Sequence, residues 1–346
     1  ETSQASEDPH GANVQVGPGS GPLGEHGVDV IGVRHEFILA VRYNCLVLNN
    51  HRDVLAVTAI APAVWGSTYY VTTELLPPDR PLLADVLRAL PAGVVLLVAT
   101  RTLPTGVWWW RSLVLGTLNI GAFFALLFVA AYRLPGGVAA TLGATQPLLA
   151  VLLAWWLLGQ PPTRRRLVAA AIGLGGVTLL VLRADAALDG WGVAAGLGSA
   201  LVMASGIVLT QRWRPPVGPL AATGWQLTAG GLILVPVAIA VEGSALPVMS
   251  RTHVLGYLYL GGVGALVAYV LWFRGVARLP APDVALLGLL SPLVATGLGW
   301  FLLGQDLGPA QGGGAALVLA ALVINRPRRQ NPAPASRDGI TGFSDT

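Results

Sequence analysis

The sequence predicts an all-α membrane protein of ten transmembrane helices, arranged as two inverted five-helix repeats. Composition is the first reason. Of 346 residues 54% are hydrophobic and only 11% charged, against roughly 25% charged in an average soluble domain. Such a chain cannot clothe a globular surface, and lipid is its natural solvent. The second reason is an internal duplication. Residues 133–160 read Arg133-Leu134-Pro135, an apolar run to Gln146-Pro147, then Trp155-Trp156-Leu157-Leu158-Gly159-Gln160. Residues 278–305 repeat this in Arg278-Leu279-Pro280, Ser291-Pro292 and Trp300-Phe301-Leu302-Leu303-Gly304-Gln305, at a constant offset of 145 with 15 of 28 positions identical. Shared Leu and Ala mean little in so apolar a chain, but Pro, Trp, Gly and Gln kept in register mark a repeat. The third reason is the distribution of arginine, taken up below.

Taken in order, residues 1–53 stand apart. The first thirty are rich in Gly, Ser, Pro, Glu and Asp and are expected to be disordered. Phe37 to Leu48 is apolar but interrupted by Arg42 and Asn44, too short to span. No basic segment precedes a cleavable apolar one, so no signal peptide is expected. The segment reads either as a cytoplasmic tail or as sequence upstream of the true start. From Val54 ten apolar runs follow: 54–74, 82–100, 112–131, 137–158, 167–183, 191–211, 220–241, 254–273, 283–303 and 309–325. In lipid only helices and closed barrels satisfy the backbone, and these runs are too long and too continuously apolar for barrel strands. They fall into a first repeat, 54–183, and a second, 191–325, followed by a cytoplasmic tail, 326–346.

With a cytoplasmic N-terminus, the ends of the even-numbered helices carry twelve arginines: Arg101, Arg111, Arg164, Arg165, Arg166, Arg212, Arg214, Arg274, Arg278, Arg326, Arg328 and Arg329. The opposite loops carry four, Arg80, Arg133, Arg183 and Arg251. Positive charge stays inside, which predicts both termini cytoplasmic in a bacterial plasma (inner) membrane. Five helices per copy is an odd number, so the second copy enters the membrane upside down. A solute site is then expected near the midplane between the copies.

Several chemistries are excluded. All 21 basic residues are Arg, so there is no P-loop lysine. The net charge of +4 is spread between apolar runs rather than clustered on a soluble face, so no nucleic-acid partner is expected. There is one cysteine, Cys45, and the five histidines lie in the tail or near loops. No metal and no cofactor are expected. The expected partners are the lipid bilayer and a small-molecule substrate. The small-residue patterns Gly192-x-x-x-Gly196 and Gly312-Gly313-Gly314 read as helix contacts, within one chain or in a homodimer.

Candidate substrate-binding residues are those whose chemistry is costly in lipid. Arg88 lies well inside a run, where a guanidinium could hold a carboxylate or phosphate; the alternative is that it pairs with Asp85 at i−3 and snorkels outward. Trp65 offers an indole wall, with Gly66 more simply a packing residue. Gln146 and Ser291 precede Pro147 and Pro292, equivalent helix kinks whose prolines free the carbonyls of Gly143 and Gly288. Asn119, Gln226 and Tyr269 complete the candidates, and Thr145 is a further polar residue within a run; interhelical hydrogen bonding is the plainer role for each. Trp155, Trp300 and Trp108-Trp109-Trp110 read as interfacial anchors.

Ala63-Val64-Trp65-Gly66-Ser67, Leu87-Arg88-Ala89, the Pro147 helix with its Leu-Leu-Gly ending, Gly173 to Val177, Trp225-Gln226 and the Pro292 helix ending Leu302-Leu303-Gly304 together carry a resemblance. Over about 54–325 the chain resembles the EamA family of the drug/metabolite transporter superfamily. The resemblance implies ten helices in two inverted halves and transport or export of small metabolites. The family usually ends the fourth and ninth helices with Gly-Glu, where this chain has Gln160 and Gln305. Function is thus expected to be secondary transport, by export, of small metabolites or amino-acid-like solutes through alternating access. The competing readings are a membrane-embedded enzyme, for which no acid or histidine cluster is visible, and a sensor or scaffold, for which no folded soluble domain is visible.

In a Cys45→Ser background, Arg80→Cys, Arg183→Cys and Arg251→Cys should react with an impermeant maleimide on intact cells, and Arg165→Cys, Arg212→Cys and Arg328→Cys only after lysis. Labelling of position 165 from outside would overturn the orientation.

Overall fold

The computed structural model describes residues 51–78, 80–134, 136–181, 189–245, 247–304 and 306–325, which lie in one compact unit. Arg183, Gln305, the Phe37–Leu48 segment and both tails fall outside the described residues.

Among the described residues the chain is helical and has no strand. The helices are α1 (His51–Leu75), α2 (Pro81–Thr100), α3 (Trp108–Gly116), α4 (Ala122–Arg133), α5 (Gly136–Gly143), α6 (Gln146–Leu158), α7 (Arg164–Val181), α8 (Gly190–Trp213) and α9 (Pro219–Glu242). They continue as α10 (Arg251–Tyr259), α11 (Ala268–Arg278), α12 (Ala281–Leu287), α13 (Leu290–Leu303) and α14 (Pro309–Ile324). A π-turn, π1 (Thr117–Gly121), joins α3 to α4, and a second, π2 (Leu260–Val267), joins α10 to α11.

Among the described residues eight stretches are long and apolar enough to cross a membrane: α1, α2, Trp108–Ala131, Val138–Leu158, α8, α9, Arg251–Arg278 and Ala281–Leu303. The two remaining expected runs form α7, which begins with Arg164-Arg165-Arg166, and the 16-residue α14. This is an all-helical, multi-pass membrane protein.

Two of the expected runs are broken rather than continuous. α5 stops at Gly143 and α6 starts at Gln146; α12 stops at Leu287 and α13 starts at Leu290. Pro147 and Pro292 therefore stand in the first turns of new helices, where a missing N–H costs nothing. The Gly288 carbonyl, expected to be left open, accepts from Ser291 N at 3.1 Å through a tighter turn. α6 and α13 both end on a glycine in the left-handed region, Gly159 (φ 65°) and Gly304 (φ 62°), which explains the Leu-Leu-Gly endings.

Packing is between elements far apart in sequence. α2 lies on α9, and α7 on α14; α1 packs on α11 and α13, and α8 on α4 and α6. The α7–α14 contact brings backbones together: a Cβ on Gly314 would lie 2.6 Å from the Gly176 carbonyl oxygen, and one on Gly176 would lie 2.8 Å from Val318 N. Gly312 and Gly313 face open space. Gly192 and Gly196 seat Leu134 and Leu142 of the same chain, at 2.6 and 2.8 Å from their would-be Cβ atoms. One expectation is corrected here. Arg274, counted among the arginines at the ends of the even-numbered runs, is 5% exposed within α11, so Arg88 is not alone in the interior.

Gly314→Ala should lower stability by about 1–3 kcal/mol, because its methyl meets backbone that cannot yield, whereas Gly313→Ala should be neutral. Thermal unfolding in detergent reads both; equal melting temperatures would refute the α7–α14 contact.

Candidate functional site

The bundle has two ends. The proximal end holds His51 and Asn325, where the described residues begin and finish; the distal end holds the connection from α1 to α2. A cavity of about 270 Å³ opens towards the distal end. Ligand sites commonly run from roughly 300 Å³ upward, so this one suits a small metabolite rather than a drug-sized molecule. α1 contributes Trp65 at its depth and Thr68 and Thr72 above; α2 contributes Asp85 and Arg88. Phe123, Phe124 and Phe128 close one side, and Tyr269 and Trp272 another. The floor is made by the two helix breaks, through Gln146 on one and Gly288 and Ser291 on the other.

Asp85 and Arg88 share a face of α2 because they are one turn apart. Arg88 Nε lies 3.2 Å from Asp85 Oδ1, and the residues are 5% and 3% exposed. The guanidinium carbon sits 4.3 Å from the centroid of the Phe124 ring, a cation–π contact strengthened by the absence of water. Arg88 therefore pairs with Asp85, yet stays in the cavity wall instead of reaching for the interface. Desolvating two charges is costly, and a buried pair is weak evidence for stability alone.

Three buried polar atoms in this lining make no hydrogen bond among the described residues: Asp85 Oδ2, Thr68 Oγ1 and Trp272 Nε1. Together they offer an acceptor, a hydroxyl and an indole donor, hydrogen-bonding capacity that native interiors rarely leave unused. The aromatic wall is itself fixed. Trp65 Nε1 donates to Gly264 O in π2 at 3.0 Å, and the Trp65 ring lies 5.0 Å from Tyr269 and 5.1 Å from Trp272. Gly66 is a packing residue, its would-be Cβ 2.7 Å from Ser291 O. Ser67 turns away to the Tyr259 hydroxyl at 2.7 Å.

Of the seven candidate residues, Trp65, Arg88, Gln146, Ser291 and Tyr269 come together in the cavity. Asn119 and Gln226 do not line it. Asn119 Nδ2 donates to Gln226 Oε1 at 2.7 Å, and Asn119 fills the space beside Gly206. Both are fully buried, an interhelical knot between π1 and α9. Thr145 bonds back to Leu142 O at 2.6 Å. Trp108 is buried against Trp225, while Trp109, Trp110, Trp155 and Trp300 face outward. Sequence reasoning missed Thr68, Trp272 and the phenylalanines. The adjacent pair Phe123-Phe124 and the i, i+3 spacing of Tyr269 and Trp272 were the available signals.

A polytopic helical bundle with a small aromatic cavity holding one ion pair belongs to a class: membrane transporters of small metabolites, not enzymes. More specifically, the chain belongs to the EamA-like transporter family, which matches residues 54–182 and again 190–326. It is 48% identical over 267 residues to Protein PecM of Dickeya dadantii, covering 76% of this chain and 89% of that protein. It is 28% identical over 284 residues to a protein of Salmonella typhimurium named probable amino-acid metabolite efflux pump, covering 76% of this chain and 91% of that one. A crystal structure 20% identical in sequence superposes with a TM-score of 0.69 over 80% of this chain and 96% of the other, a shared fold.

Because Asn119 Nδ2 donates to Gln226 Oε1, Asn119→Ala and Gln226→Ala should each cost about 0.6–1.7 kcal/mol, the range for polar pairs between membrane helices. The double variant should cost less than their sum, read by thermal unfolding. Strict additivity would show that the two side chains act independently.

Proposed function

We propose that the chain is a secondary transporter that exports small metabolites or amino-acid-like solutes by alternating access. The observation that carries this is the cavity: an ion pair and three polar atoms without a hydrogen bond among the described residues, enclosed by aromatic walls, with a floor made of two helix breaks. A zwitterion fits its chemistry. An ammonium would meet Asp85 Oδ2, a carboxylate the guanidinium of Arg88, and an apolar side chain the rings of Trp65, Tyr269 and Trp272. The name of the Salmonella relative agrees with this solute class.

In the architecture we propose, ten transmembrane helices form two inverted five-helix halves. Three features support it. The family matches twice in tandem. Both π-turns recur at the offset of 145 seen in sequence, Thr117–Gly121 falling within Leu260–Val267 when shifted, and the two breaks recur to within one residue of it. Helix contacts are reciprocal, α1 on α11 and α13 as α8 is on α4 and α6. The arginine distribution supports a cytoplasmic placement of both termini, and the reading sets the chain in a bacterial plasma membrane.

The test is uptake of radiolabelled amino acids and other small metabolites into proteoliposomes under imposed proton and potential gradients. Asp85→Asn combined with Arg88→Gln removes both charges and leaves none unpaired. It should keep the fold yet slow transport by about 100-fold, as loss of charge-assisted contacts worth about 1.5–3 kcal/mol predicts. Undiminished transport by this variant would reduce the pair to a structural role.

A further inference from the structure

A second pocket lies at the proximal end. It has a volume of about 570 Å³ and is lined by the first turns of α1 (His51, Leu55, Ala59), by Asp283, Leu287 and Leu290 around the α12–α13 break, and by Asn325 after α14. It shares two walls with the central cavity. On α1, Ala59 faces the second pocket and Trp65 the first, six residues or about 9 Å apart. At the α12–α13 break, Leu287 and Leu290 face the second pocket while Gly288 and Ser291 face the first. The two spaces therefore lie on opposite sides of one seam, where α1 and α13 touch backbone to backbone at Gly66 and Ser291.

The proximal side of that seam is fastened by charge. Arg166 Nε and Nη2 donate to Asp283 Oδ1 and Oδ2 at 3.1 and 3.3 Å. Asn325 Nδ2 donates to Asp283 Oδ1 at 3.0 Å. Three helices, α7, α12 and α14, are thus tied at one buried carboxylate on a segment of only seven residues that ends at the break. Alongside it, Gln211 of α8 donates to the carbonyls of Val276 and Leu279 at 2.9 and 2.6 Å and accepts from Ala281 N at 3.2 Å, holding the α11–α12 corner. Two buried atoms at the pocket's rim, His51 Nε2 and Asn325 Oδ1, make no hydrogen bond among the described residues, polar capacity that suits a solute route better than an acyl chain.

We infer that this pocket is the proximal mouth of the solute path, and that the Arg166–Asp283–Asn325 cluster is the bolt that keeps the seam between the two pockets shut in this conformation. The inference rests on the alternating-access reading above. Releasing Asp283 frees α12 to move at the break; opening the proximal mouth then closes the distal one, because α1 and α13 wall both.

The experiment uses the full chain in nanodiscs, in a Cys45→Ser background, with one reporter at a time: Ala59→Cys in the proximal pocket or Thr72→Cys in the central cavity. Maleimide labelling rates are read on monodisperse protein. Asp283→Asn should speed labelling at position 59 and slow it at position 72, each by about fivefold or more, the lower range of a conformational coupling. Arg166→Gln should do the same, and the charge exchange Arg166→Asp with Asp283→Arg should restore both rates. Faster labelling at 59 with no change at 72 would mean local loosening and overturn the bolt, as would no change at either. Because labelling needs no solute, a reciprocal shift in a protein that moves none of the tested solutes would count against the transport reading and leave the bolt standing. Transport without the shift would sink the bolt alone.

Discussion

Lipid offers the backbone no hydrogen bonds, and the rest of the structure depends on that constraint. A peptide group left open in hydrocarbon costs several kcal/mol, so spanning segments must satisfy themselves as helices. Irregular backbone survives only where it is enclosed by protein or lines a cavity. The helix breaks at Ala144-Thr145 and Gly288-Leu289 obey this rule: Gln146, Gly288 and Ser291 beside them line the central cavity. The π-turns do so in another way, with Gly264 in π2 giving its carbonyl to the Trp65 indole. Where this protein departs from regular helix, it builds its interior.

Charge follows the same economy of burial. Asp85 and Arg88 are placed within one turn, so each supplies the other's counter-charge. Glu242 closes α9 and accepts from the backbone of Leu82 and Leu83 at 2.5 and 3.0 Å, satisfying the open N–H groups at the start of α2. Asp283 ties α7, α12 and α14 through Arg166 and Asn325. Each of these three carboxylates thus joins segments distant in sequence or shapes a cavity. None belongs to a group of metal-binding residues among those described.

Glycine decides how closely the helices can lie. The Gly176–Gly314 contact and the seat of Gly66 on Ser291 O leave no room for a methyl group. In lipid, where burying apolar surface gains little, such close approach is the main source of association. The small-residue stripes read from sequence as helix contacts prove to be contacts within the chain at Gly192, Gly196 and Gly314, each with a named neighbour.

What the sequence determined by itself was whatever depends on local chemistry and on repetition. The apolar runs, the duplicated Pro, Trp, Gly and Gln, and the cost of Arg88 in lipid all belong to single segments, and they sufficed for class, family and much of the cavity's lining. Tertiary structure decided the rest, because it depends on which faces meet. Asn119 and Gln226 were legible as buried polar residues, but only the crossing of π1 with α9 turns them on each other and away from the cavity. Arg274 looked like a loop charge because it stands at a run's end; α11 carries it into the interior. Asp283 gave no sign of its partner, since Arg166 lies 117 residues away and no periodicity links two charges brought together by packing alone.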